Sequence, residues 1–273
     1  MPCFLKPEHH LIEGLLIDMD GVLYHGDVPI DASLSFMNAI VDIPHVFITN
    51  NPIRLPEKII EKLDFLGFDK PGLNQVITSG EVCAAWLNKQ KPEFKYFAIG
   101  AEGLHQSLQK FGTEDHLNAD YVVIGEGDGI DYENLSIAIN LILKRGAQLI
   151  STNPDNTVDA TRDGQHWVLP GGGALVAPLV VATGVEPITI GKPFPLLYEM
   201  ALERLNIAPE NALMIGDRPD TDIHGAAKLG IKTALVRTGR FLPGESYPAN
   251  LNMPDIDVDS LDELQAYLDF QMN

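Results

Sequence analysis

Short β-branched runs bounded by turn residues alternate along this chain with longer amphipathic stretches, and no other feature restricts its fold as much. Strands that alternate with helices pack as a largely parallel sheet covered by helices, so the expected fold class is α/β. The pattern predicts strands over residues 14–19, 45–49, 75–78, 96–99, 121–124, 148–151, 187–190, 212–216 and 232–236. Pro56 and Glu57 open a helix that Gly67 closes, Ser79 caps a second, and Asp131 precedes a helical run ending at Arg145 and Gly146. Further helices are expected over about 195–205, 220–229 and 259–268, with a Pro-, Gly- and Asn-rich loop over 239–257.

Four of the strand candidates end in polar residues. In LLIDMDGVLY, Asp18 and Asp20 follow an apolar run with only Met19 between them, so both carboxylates can face one pocket while Met19 packs the other way. Two close carboxylates resist joint ionisation unless a cation sits beside them, and a divalent ion is the natural answer. A calcium loop of the helix-loop-helix kind is excluded, because its fifth position needs Asp or Asn and Val22 stands there. An ordinary acidic turn is the plainer reading of Asp18 and Asp20 taken alone.

Thr49, Asn50 and Asn51 follow the apolar segment HVFI and form a neutral donor set able to grip an anion, although Asn and Thr at a strand end are more often turn formers. Lys192 stands in ITIGKPFP, where Pro193 and Pro195 fix the backbone that delivers its point charge. In ALMIGDRPDTDIHGA, Asp217 holds the same strand-end place as Asp18 and can offer a third carboxylate to one cation. Asp220 and Asp222 open the helix that follows, where acids often serve only as caps and dipole partners. With ligands that are all oxygen, magnesium is the ion expected.

Charge narrows the partners. The chain carries 19 basic against 38 acidic side chains, a formal net charge of −19, which repels nucleic acid and anionic lipid surfaces. An anionic substrate must therefore be drawn in by a local cation, a lysine or a helix end. Cys3 and Cys83 are too few and too far apart for a disulfide framework or a zinc site, which fits a reducing cytoplasm. The start, MPCFLKPEHH, shows no signal peptide, and the most apolar run, 174–182, is too short to span a membrane and contains Pro178.

The four motifs in order, Asp18-Met19-Asp20-Gly21, Thr49-Asn50-Asn51, Gly191-Lys192-Pro193 and Gly216-Asp217 with Asp220 and Asp222, resemble those of the haloacid dehalogenase superfamily of phosphatases. The stretches DMDGVLYHG, TNNP, STNPD, LPGGGALV, TGVEPITIGKP and GDRPDTDI are similar to the branch holding the NagD phosphatases, p-nitrophenylphosphatases, phosphoglycolate phosphatases and pyridoxal phosphatases. The likeness covers about residues 14–240. The long gap between Thr49 and Lys192 calls for an inserted domain. The resemblance makes it an α/β cap, placed at 82–184, on a Rossmann-like core of 1–81 and 185–273.

The resemblance implies a magnesium-dependent phosphatase of small phosphorylated metabolites. In it Asp18 is the nucleophile, and Asp20 protonates the leaving group and then activates water. The carboxylates of Asp18 and Asp217 and the backbone carbonyl of Asp20 hold the metal. Thr49, Asn50, Asn51 and Lys192 bind the phosphoryl oxygens, and Asp222 orients Lys192 or a metal-bound water. It also makes dimerisation through the cap an assembly to expect. Two departures from the family pattern stand out: Pro52 replaces a serine, and an acidic Gly-rich loop, 126–131, occupies a cap position where relatives often carry Gly-x-Asp with an arginine. The Asn-rich STNPDN around Asn153, Asp155 and Asn156 suits either leaving-group recognition or a plain turn. A non-catalytic phosphate-binding or phosphoacceptor protein on the same fold remains the alternative; a simple receiver domain needs only about half this length and no insert.

Overall fold

The computed structural model describes residues 12–162 and 164–272, so Cys3 and the MPCFLKPEHH segment lie outside the described residues. The chain forms two compact units. The first comprises residues 1–49, 59–77 and 192–273, and the second residues 50–58 and 78–191.

The first unit is built on a six-stranded sheet in the spatial order Ile256–Val258, Lys232–Val236, Ala212–Gly216, Gly14–Ile17, His45–Thr49, Val76–Thr78. The pairings from Ile256–Val258 across to His45–Thr49 are parallel. GLLI is buried at all four positions, as expected of a central strand covered by helices on both faces. Leu15, Ile17 and Met19 join Phe36, Phe47, Leu63, Leu213 and Ile215 in one apolar cluster. The chain leaves Gly14–Ile17 for His45–Thr49 on one side and later returns to Ala212–Gly216 on the other. This reversal of strand order opens a crevice beyond the strand ends, and Asp18 and Asp217 stand at two adjacent ends.

The second unit carries its own parallel sheet, ordered Ile188–Thr189, Gln148–Ser151, Tyr121–Ile124, Lys95–Ile99, Thr113–Glu114. Phe97, Val122, Ile124, Leu149, Val176 and Leu179 fill a separate core there. The boundaries expected at 82 and 184 fall inside this unit for local reasons. Helix Ser79–Gln90 runs through the first, and strand Ile188–Thr189, beyond the second, pairs with Gln148–Ser151.

Several ends move from their expected places. Thr78, not Ser79, caps the helix Ser79–Gln90, because its extended backbone lets its side chain accept from Glu81 N. The expected loop over 239–257 ends early at the strand Ile256–Val258, which adds to the edge of the sheet beside Lys232–Val236. A hairpin of Thr157–Arg162 and Gln165–Pro170 was not among the expected strands. Among the described residues no helix is long and apolar enough to cross a membrane.

Phe36 is fully buried in the first unit's cluster. Phe36→Ala should lower the unfolding free energy by about 3–5 kcal/mol, read from the shift of the urea midpoint.

Candidate active site

The strand Gly14–Ile17 stops one residue before Asp18, whose N–H donates to Ile215 O at 2.9 Å and so continues the ladder to the neighbouring strand. The chain then turns sharply, with Val22, Leu23 and Tyr24 N–H groups all directed at Met19 O. Gly21 makes the turn possible with φ +87°, and a Cβ there would lie 2.6 Å from Asp217 Oδ2. Within the DMD triplet Asp18 is buried, Met19 is in the core and Asp20 is exposed.

Lys192 is 3% exposed and its ammonium lies between two carboxylates, 2.6 Å from Asp18 Oδ1 and 2.7 Å from Asp222 Oδ1. Asp222 is held in turn by Arg218 N–H, which donates to its Oδ2 at 3.1 Å. Asp217 accepts at Oδ2 from Arg240 N–H at 2.7 Å, while its Oδ1 is buried without a hydrogen-bond partner among the described residues. One oxygen from each of Asp18, Asp217 and Asp222 lies within 4.8 Å of the others. Asp220 does not join them; its exposed side chain pairs with Arg218 at 2.9 Å.

Three buried carboxylates facing one ammonium leave the site short of positive charge. Burial pushes the Asp18 carboxyl up to about 7, against the pull of Lys192 and with the help of Asp222 and Asp20. Burial also holds Asp217 well above the usual carboxylate range, reinforced by Asp222 and Asp18. Burial alone would lower the Lys192 ammonium, but Asp18 and Asp222 outweigh it and keep the lysine charged. The unpartnered Asp217 oxygen, the all-oxygen donor set and the missing charge fit a hard divalent cation.

The Thr49-Asn50-Asn51 motif divides. Thr49 ends its strand in the first unit, whereas Asn50 belongs to the second, where its Nδ2 donates to Asp155 Oδ2 at 2.9 Å. Asn51 Oδ1 accepts from Ile53 N at 2.8 Å, the local turn that an Asn favours. Asn50 Nδ2 thus has one acceptor within the second unit, and Asn51 is engaged through its amide oxygen.

A second buried polar cluster surrounds Asn50. Asn153 Nδ2 donates to Asn50 O and to Glu126 Oε1, each at 2.8 Å, and Asn153 Oδ1 accepts from Asp155 N and Gly172 N. Glu126 is 2% exposed, and its Oε2 has no hydrogen-bond partner among the described residues. Burial raises its carboxyl to about 7, opposed by the Asn153 bond and aided by Asp155. The sequence had marked this loop only as acidic and Gly-rich. The signal that pointed inward was the pair of glycines around Glu126: Gly127 has φ +128°, and a Cβ there would overlap Ala101.

Two outcomes follow from these contacts. Gly21→Ala forces a methyl against the Asp217 carboxylate and a left-handed backbone worth about 1–2 kcal/mol on an L-residue. It should lower both the melting temperature and the divalent-cation affinity measured by titration calorimetry. For Glu126, the folded protein retains a proton that the unfolded chain has released, so stability falls as pH rises from the ordinary glutamate range to about 7. Glu126→Gln removes that linkage and should melt above the wild type at pH 8, with the gap closing by pH 4.

Comparison with known proteins identifies the family. The haloacid dehalogenase-like hydrolase profile matches residues 15–114, and a second, HAD-hydrolase-like profile matches residues 189–264. The 5'-nucleotidase YutF of Bacillus subtilis is 35% identical over 260 residues, covering 94% of this chain and 98% of its own. An acid sugar phosphatase of Staphylococcus aureus is 38% identical over 231 residues, covering 82% of this chain and 86% of its own. The solved structure of NagD from E. coli K-12 aligns with TM-score 0.82 and 28% identity over 92% of this chain and 98% of the other. The chain belongs to the haloacid dehalogenase-like hydrolases, in their NagD-like branch of phosphatases.

Proposed function

We propose that the protein hydrolyses small phosphate monoesters with Mg2+, through an aspartyl-phosphate, an acyl phosphate, formed on Asp18. The observation that carries this reading is the buried ammonium of Lys192 set between Asp18 and Asp222, with Asp217 beside them. That is an arrangement for receiving a charged group rather than for stability, since a buried charge excess weakens a fold. The names of the relatives favour nucleotide or sugar monophosphates as substrates.

In this reading an Asp18 carboxylate oxygen attacks phosphorus, the bond from phosphorus to the ester oxygen breaks, and Asp20 gives its proton to the departing alkoxide. Asp20, now ionised, takes a proton from water as the water oxygen attacks phosphorus. The acyl-phosphate bond breaks, and inorganic phosphate leaves with Asp18 restored. Lys192 bonds the transferred phosphoryl oxygens, and Asp222 holds it in place. Thr49 contributes its hydroxyl, and Asn50 and Asn51 complete the phosphoryl-binding motif after it. The carboxylates of Asp18 and Asp217 and the carbonyl of Asp20 would hold magnesium, which would supply positive charge to offset the negative charge of the phosphoryl group. The second unit is the inserted cap of this reading, and the protein works in the cytoplasm.

Purified protein should release p-nitrophenol from p-nitrophenyl phosphate with Mg2+ and stop when EDTA is added. Asp18→Asn should reduce kcat by about three orders of magnitude or more. Undiminished turnover by Asp18→Asn would remove the assigned nucleophile. A panel of nucleoside and sugar monophosphates then ranks substrates by kcat/KM.

A further inference from the structure

The buried cluster around Glu126 takes no part in the chemistry above, yet it costs the fold something. A buried carboxylate oxygen without a partner forfeits about 1–3 kcal/mol of hydration. Such a group persists where it specifies a geometry. All four hydrogen-bonding positions of the Asn153 amide are occupied, two as donor and two as acceptor. The amide has two faces that differ only in which atom is oxygen, and Glu126 selects the observed one together with Asn50 O, Asp155 N–H and Gly172 N–H. Because Glu126 Oε1 accepts from Nδ2, the same nitrogen is left to donate to Asn50 O. Turned over, Asn153 would put its oxygen against two acceptors.

What the oriented amide holds is a chain crossing. Asn50 O accepts from Asn153 Nδ2 and, at 2.6 Å, from Ser79 Oγ. Gly191 N donates at 2.9 Å to the carbonyl of Thr152, the residue before Asn153. A Cβ on Gly191 would lie 2.6 Å from Asn50 Oδ1 and 3.0 Å from Asn153 Cβ, so Asn50 and Gly191 meet over Asn153. Asn50 and Gly191 are the residues at which the chain first enters and last leaves the second unit. Thr49 is one peptide bond from Asn50, and Lys192 is one peptide bond from Gly191.

We propose that Glu126 and Asn153 are positioning residues for phosphoryl transfer, whose hydrogen-bonded pair fixes the backbone one peptide bond away from both Thr49 and Lys192. This rests on the phosphatase reading for its consequence, though not for its geometry. The two groups act on the reaction only through Asn50 and Gly191. The effect belongs to the hydrogen bond and the orientation it imposes, not to the charge of Glu126.

The test compares Glu126→Leu, which removes the acceptor, Asn153→Asp, which removes both donors, and Glu126→Gln, which keeps an acceptor in place. Each is assayed with p-nitrophenyl phosphate and Mg2+, and hydrogen exchange is followed at the Gly191 amide. Glu126→Leu and Asn153→Asp should lower kcat on the order of 100-fold with KM little changed, as expected when a group is misplaced by about 1 Å. The Gly191 amide should exchange at least tenfold faster in both. Glu126→Gln should stay within twofold of wild type in both readouts. Unchanged kcat in a folded Glu126→Leu or Asn153→Asp variant, or an equal loss in Glu126→Gln, overturns the proposal. Wild-type protein that hydrolyses no monoester at all would end the phosphatase reading separately, and the exchange rate at Gly191 would then decide the anchor alone.

Discussion

Lys192 places a charged ammonium where almost no water reaches it, and the rest of the first unit is arranged around that fact. Its two carboxylate partners, Asp18 and Asp222, come from distant parts of the chain and are joined by Asp217, so the site holds more negative than positive charge. Packed apolar residues of the same volume are often more stable than a buried ion pair, and a buried charge excess is worse. The sheet offsets this cost. Three strands with almost wholly apolar interiors deliver Asp18, Thr49 and Asp217 only at or beyond their last residues, so the low-dielectric core ends where the polar groups begin.

That placement explains why so much of the site was legible. A parallel sheet covered on both faces needs continuous apolar runs, and the strands His45–Thr49, Tyr121–Ile124, Gln148–Ser151, Ala212–Gly216 and Lys232–Val236 have the ends their sequences suggest. A polar residue at the end of such a run has few local reasons to be there, so Asp18, Lys192 and Asp217 could be picked out before any contact was known. The elements that escaped lack this signature. Ile256–Val258 is three residues at a sheet edge with an exposed centre, Asp257, paired to Arg237. The hairpin from Thr157 to Pro170 mixes polar and apolar residues over an exposed surface.

Side-chain roles were harder to read than strand ends, because a side chain's partner can come from anywhere. Asn50 reads as a phosphate donor since it follows Thr49, and its amide also bonds Asp155, 105 residues along the chain. Ser79 looked like a helix cap because it stands before a helical run. One residue earlier, Thr78 has the extended backbone that a cap requires, which frees the Ser79 hydroxyl for Asn50 O. In both cases local propensity named a plausible use for a polar group, and a distant acceptor engages it.

The same reasoning separates the two buried polar clusters by what each leaves unsatisfied. Around Lys192 the deficit is charge, spread over three carboxylates, and only a cation or a change of protonation can remove it. Around Asn153 every amide position is satisfied, and the deficit is confined to one Glu126 oxygen. A site that must accept and release a phosphoryl group has to remain incomplete in its resting state, because binding energy comes from groups not already paired. A cluster that must hold a backbone in one place does the opposite and closes its hydrogen bonds internally. By that distinction the first cluster is built for exchange and the second for fixity. Sequence adjacency of Thr49 to Asn50 and of Gly191 to Lys192 joins an incomplete site to a complete one through single peptide bonds.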